Sequence, residues 1–205
     1  DAVHKEFTEG VPGGRHDTLI TDADVPPTDT APNPDPRRRS WTAEDLRTAL
    51  LGTRHDMVFL AGHFSANNAL AADYTTTMNT TEITDPPDPF PDDVFADSLV
   101  FSAGCHSGYT IVAADGVPQV TVDLDWTEAF AKKGATLIAG TGYQYGDTDF
   151  LAYSEQLYAD FSHQLRIGSG AVPVGNALVA AKQRYLRTTA SLSGIDQKAV
   201  LEATL

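Results

Sequence analysis

One cysteine occurs in the 205 residues, Cys105. It stands in Gly104-Cys105-His106-Ser107-Gly108, directly after the apolar run Leu99-Val100-Phe101-Ser102-Ala103. A second apolar run, Met57-Val58-Phe59-Leu60-Ala61-Gly62, ends in His63, 42 positions earlier. A thiolate is a strong nucleophile, and an imidazole beside it takes the thiol proton and later returns it to a leaving amine. Gly62, Gly104, Ser107 and Gly108 are small enough to let a substrate backbone approach. The backbone N–H groups of Cys105 and Phe64 are candidate donors to a developing oxyanion. The competing readings are plainer. A lone cysteine is most often a small buried hydrophobe. His106 is a rival base, although its adjacency to the cysteine predicts a side chain directed elsewhere. A zinc site of His63, Cys105 and His106 lacks a fourth ligand and a standard spacing.

The dyad needs two neighbouring strands that end together. Four short apolar runs read as buried strands: Asp17–Ala23, Asp56–Gly62, Ser98–Gly104 and Ala135–Thr141. They are nearly continuous rather than alternating, as in a parallel sheet covered on both faces. Helical patterns lie between and after them. Thr42–Thr53 opens with a capping-box-like Thr42-Ala43-Glu44-Asp45, and Asp123–Lys133 stops at Gly134. Asp149–Ile167 places Leu151, Leu157, Tyr158, Phe161 and Leu165 on one stripe. Pro173–Arg187 has proline in its first turn, and Asp196–Leu205 forms a last helix. Strands alternating with helices predict an α/β fold, a mainly parallel sheet flanked by helices on both faces. Sites in such sheets lie beyond the carboxyl ends of the strands, where His63 and Cys105 fall. Two stretches rich in Pro, Asp and Thr, 21–40 and 75–93, read as long loops. Residues 1–40 are expected to contribute an N-terminal strand and a Pro-rich loop to the same domain as 41–205.

Composition narrows the partners. The net charge of −14 argues against nucleic acid, which is bound by clustered Lys and Arg. The one basic cluster, Arg37-Arg38-Arg39, reads as a solvated loop or a processing site. No run approaches the ~18 apolar residues of a membrane helix, so no membrane partner is expected. The chain begins Asp1-Ala2-Val3-His4 without a signal-peptide pattern, and reads as a processed piece of a longer precursor with other flanking domains.

The two blocks resemble those of the cysteine-peptidase clan that includes caspases, legumains, separases and gingipains (clan CD). That clan places a His, normally followed by Gly, after one apolar strand and a Cys after the next. Similarity to gingipain-type peptidases extends through Gly108, Trp126-Thr127-Glu128-Ala129-Phe130, Lys133-Gly134-Ala135 and Ile138-Ala139-Gly140-Thr141-Gly142. It continues through Leu157-Tyr158, Phe161, Pro173-Val174-Gly175-Asn176-Ala177-Leu178 and Ala181-Lys182 to Lys198–Leu205. The family's last helix usually runs on into a Gly-Asp-Pro-like turn that is missing here, in keeping with a processed chain.

The resemblance implies a caspase-like domain and a secreted or cell-surface cysteine endopeptidase acting on polypeptides, with His63 as acid/base and Cys105 as nucleophile. It implies an oxyanion hole at the N–H groups of Cys105 and of the residue after the His, here Phe64 where the family has Gly. A second departure is Gly104, commonly Ala in relatives. It implies a substrate pocket built by Gly142–Asp147, with Tyr143 and Tyr145 as an aromatic wall and Asp147 as an acidic floor suited to Arg or Lys. Asp22 and Asp24, after the first expected strand, are alternative sources of that charge. No cofactor is expected, and calcium enters only because gingipain-type enzymes bind it. The His63-Phe64 step motivates an alternative, a catalytically impaired module that binds or scaffolds. A third reading is a hydrolase or transferase acting on a non-peptide acyl group.

Overall fold

The computed structural model describes residues 2–20, 41–110, 124–147, 150–189 and 191–204. The main sheet has four strands in the order β1-β5-β6-β7: Met57–Leu60, Leu99–Ser102, Thr136–Gly140 and Ala203–Thr204. The first three run parallel, and β7 pairs antiparallel with β6. Alternate residues of these apolar runs enter different cores. Val58, Val100 and Leu137 share one register row and join a core with Leu46, Leu50, Trp126 and Phe130. Phe59, Phe101 and Ile138 form the next row and face Leu157, Tyr158, Phe161 and Tyr185. A strand buried on both sides needs apolar residues at every position, hence the unbroken runs.

Helices α2 (Ala43–Leu51) and α4 (Trp126–Lys132) cover the first face. Thr42 and Asp45 form the expected capping box of α2, and Asp125 caps α4. Helices α5 (Tyr153–Arg166), α6 (Val174–Thr188) and α7 (Gly194–Glu202) serve the second face. The N-terminal helix α1 (Ala2–Gly10) joins them. Its Val3 is buried, Phe7 meets Phe101 edge-on at 5.7 Å, and Glu6 pairs with Arg166 of α5.

Several boundaries differ from expectation. Asp17–Ile20 forms no strand, and the rest of the expected Asp17–Ala23 strand lies outside the described residues. Only Leu19 packs on the core, Ile20 is 59% exposed, and Asp17 is held by His55 and Arg15. An apolar run of two is too short to bury both faces. The 75–93 stretch is not all loop. It holds β4 (Thr77–Asn79) and the one-turn α3 (Thr81–Thr84), because Met78 and Ile83 are fully buried anchors among polar neighbours. Leu151 precedes α5 and is exposed rather than lying on its stripe. The last helix begins at Gly194, where Ser193 and Asp196 form a capping box, and gives way to β7 at the edge of β6.

The chain after β1 folds into a small antiparallel sheet, β2 (His63–Phe64), β3 (Asn68–Leu70) and β4. Trp126 pins it to the main body: its indole N–H donates to the Ser65 carbonyl at 3.0 Å, and its backbone N–H to Ala66 at 3.0 Å. Replacing Trp126 by Phe removes the first bond and leaves a space beside a carbonyl. The expected loss of unfolding free energy is about 2 kcal/mol. Urea denaturation checks it as a lower midpoint with an unchanged slope.

Candidate active site

Strand pairing brings the ends of β1 and β5 together. Met57 lies opposite Leu99 and Leu60 opposite Ser102, the same 42-residue offset that separates His63 from Cys105. The ladder extends one step further, with the Ala103 N–H donating to the Leu60 carbonyl at 2.8 Å. His63 and Cys105 therefore stand equally far beyond the carboxyl ends of adjacent parallel strands.

Cys105 sits half-buried on a tight turn strapped to β6. His106, at φ 56°, donates its N–H to the Gly142 carbonyl at 2.8 Å, and Gly108 to that of Gly140 at 2.9 Å. A side chain at Gly108 would lie 2.7 Å from the Ala139 backbone, so this close approach requires glycine. The N–H of Gly104 goes to the Ser102 hydroxyl and that of Ser107 to the Gly104 carbonyl. From Ala103 to Gly108 one N–H alone, that of Cys105, has no acceptor among the described residues. On the other strand, the Ser65 N–H bonds the Asn68 carbonyl, which makes His63–Leu70 the next hydrogen-bonded pair and turns the Phe64 N–H away from β3.

The Phe64 side chain is turned inward. Its ring packs on Trp126 at 5.4 Å and fills the space over Gly104, where a Cβ would come within 2.3 Å of the ring. The ring of Phe64, after His63, thus occupies the volume left open by the glycine before Cys105.

The sulfur meets both backbone groups of Gln144. The Gln144 N–H donates to Sγ at 3.4 Å, and the thiol donates to the Gln144 carbonyl at 3.6 Å. His63 is exposed and bonds through Nε2 to the Tyr74 hydroxyl at 3.2 Å. His63 and Cys105 are therefore each hydrogen-bonded to a group outside the pair. Tyr74 sits on the β3–β4 turn in the left-handed region, at φ 55°. Asp73 builds that turn, accepting from the N–H groups of Thr75 at 3.0 Å and Thr76 at 2.9 Å and from the Thr76 hydroxyl at 2.8 Å. Burial alone would raise its carboxyl, but these donors outweigh burial and hold it at about 2.

The loop expected to bind substrate reaches Cys105 through Gln144. Tyr143 is 60% exposed and lies edge-on to His106 at 4.6 Å. His106 donates from Nδ1 to the Thr141 carbonyl at 3.3 Å, so the rival base is committed to the β6 side. Tyr145 is bound by its backbone to Ser154 at the start of α5. Asp147 lies beside Glu155, whose carboxyl is raised by burial and by the Asp147 charge, partly offset by the Asp147 N–H. A third carboxylate, Glu202, lies against Gly142. Asp22 and Asp24 lie outside the described residues.

No family model, curated protein or solved structure matches this chain.

Among the described residues no cluster of His, Cys, Asp and Glu is arranged to hold a metal, and no helix is long and apolar enough to cross a membrane. A cavity of about 470 Å³ between α5, α6 and α7 contains neither His63 nor Cys105. Sequence reasoning missed Tyr74, the Gln144 backbone, Glu155 and Glu202. Only the Tyr74 turn carried a local signal, the Asp73-Tyr74-Thr75-Thr76 pattern of an Asx-turn.

Gly104→Ala is expected to cost about 1–3 kcal/mol by overpacking. The cost should nearly vanish in a Phe64→Ala background, which a double-mutant cycle of denaturation midpoints will read. Asp73 is depressed from its ordinary 3.8 to about 2, so its contribution to stability is full above pH ~4 and lost as pH falls toward 2. The stability advantage of the wild type over Asp73→Asn should be present at pH 6 and gone near pH 2.

Proposed function

We propose that this chain is a cysteine endopeptidase of caspase-like, gingipain-type architecture. The observation that carries the reading is the Cys105 N–H, which has no acceptor among the described residues in a turn whose other N–H groups are bonded, on the same residue as the proposed nucleophile. A buried or half-buried donor left open is costly unless something comes to it. The Phe64 N–H, facing away from β3, is the second donor.

The reaction follows from these groups. His63 takes the Cys105 proton, and the thiolate attacks the peptide carbonyl carbon. Charge gathers on the carbonyl oxygen at the two N–H donors. Collapse expels the amine, which receives the proton from His63, and leaves a thioester. Water attacks that ester with His63 as base, releasing the acid and restoring the thiol. With Phe64 packed against Gly104 and Trp126, its ring lies away from the substrate path. The Asp147–Glu155 pair beyond Tyr143 and Tyr145 suits a Lys or Arg side chain before the scissile bond.

A second reading is a catalytically impaired binding or scaffold module. It is favoured by one fact, that His63 and Cys105 are each bonded elsewhere. The two readings separate in the labelling of Cys105 by peptidyl acyloxymethyl ketones ending in Arg, Lys or Leu. A working dyad labels fast, prefers the basic peptides, and slows by about 100-fold or more in His63→Ala. A scaffold labels at the rate of a free thiol in both forms.

A further inference from the structure

We infer that Tyr74 is a positioning residue for His63, fixing the imidazole in the tautomer that leaves Nδ1 as its basic nitrogen. The inference rests on the proposed dyad. The Tyr74 hydroxyl lies 3.2 Å from Nε2, and the two rings meet edge-on at 5.4 Å. A hydroxyl can donate or accept, but only one arrangement survives the catalytic cycle. When His63 takes a proton both ring nitrogens carry hydrogen, so the Tyr74 oxygen must then accept from Nε2. Keeping that bond in the neutral state places hydrogen on Nε2 and the lone pair on Nδ1. Nδ1 is then the atom that exchanges the proton with Cys105, and the ring need not turn between steps.

Packing does not account for Tyr74. It is 52% exposed, yet it adopts a left-handed backbone conformation that side chains with a Cβ disfavour. Glycine or asparagine suits the left-handed region better and would close the same turn. The turn is over-determined from every side. The Tyr74 N–H donates to Ala71 at 3.0 Å, the Ala71 N–H to Thr76 at 2.9 Å, and the Asp73 N–H to Trp41 at 3.1 Å. The Thr76 hydroxyl accepts from the Ala43 N–H at 2.8 Å, tying the turn to the start of α2. Strain held in place this firmly, carrying an exposed aromatic side chain that reaches a candidate base, is what a positioning element needs.

The test uses the whole chain as wild type, Tyr74→Phe, His63→Ala and the double variant. Tyr74→Phe keeps the ring and removes only the hydroxyl, and thermal melting checks that the fold is unchanged. The ¹⁵N shifts of the His63 imidazole at high pH report the tautomer without any activity. The expected result is a predominantly Nε2–H imidazole in the wild type and a mixture in Tyr74→Phe. Inactivation by the ketone should fall about 5- to 10-fold in its limiting rate, with the binding constant unchanged. In the His63→Ala background, removing the hydroxyl should have no further effect, which a purely structural role would not produce. If His63→Ala labels as fast as wild type, the dyad reading fails and the proton-exchange role of Tyr74 fails with it. If His63→Ala collapses labelling while Tyr74→Phe matches wild type in rate and tautomer, the dyad stands and the assignment of Tyr74 is overturned.

Discussion

The parallel pairing of β1 with β5 is the constraint on which the rest of the arrangement depends. A register of this kind cannot slip by one residue without exchanging the two cores, because Val58 and Val100 face one and Phe59 and Phe101 the other. Two buried faces therefore fix the ends of the strands, and the ends fix His63 and Cys105. The site inherits its geometry from hydrophobic burial several residues away. The same constraint explains why the strand-end residues are small: beyond Leu60 and Ser102 the chains must diverge at once, one into the antiparallel hairpin and the other into a turn strapped to β6.

Around that frame, packing is adjusted locally rather than by residue type alone. Phe64 and Gly104 form one unit, a ring and the absence of a side chain beneath it, locked by Trp126. Trp126 begins α4, reaches back to Ser65 and Ala66, and lies in the core with Phe130. One residue thus joins the helix after Cys105 to the hairpin that carries His63. Gly108 performs the corresponding service on the far side, bringing the cysteine turn against β6 where no Cβ fits.

The parallel strands, the helices on both faces and the placing of His63 and Cys105 just beyond the ends of paired strands were legible because they rest on runs of apolar residues and on one spacing. Five helices were legible from caps and stripes. What escaped depended on contacts between distant, short or polar segments. The α1 helix offers only Val3 and Phe7 as a pattern, and its place is decided by Phe101 and Arg166 on other elements. The hairpin strands have two or three residues each, too few for a period to register. The strand expected at Asp17 drew on apolar residues too few to hold it. Tyr74 escaped because its contribution comes from a turn conformation and a single hydroxyl, and neither has a hydrophobic signature.

Backbone strain draws these threads together. Tyr74 and His106 both hold left-handed conformations, and they lie on opposite flanks of the proposed dyad. Each turn is secured from outside, that of Tyr74 by Trp41 and Ala43, that of His106 by Gly142 and Thr141. Their side chains serve different ends. Tyr74 reaches the candidate base, while the His106 ring is drawn toward β6 and Tyr143, which keeps a second imidazole away from the sulfur. The hydrogen bonds of the resting site follow the same division: His63 is held from the hairpin, Cys105 from the loop after β6. Two independently anchored elements thus hold the residues that follow the β1–β5 pair. Of the N–H groups from Ala103 to Gly108, that of Cys105 alone has no acceptor among the described residues, so the open donor of the turn sits on the residue that carries the sulfur.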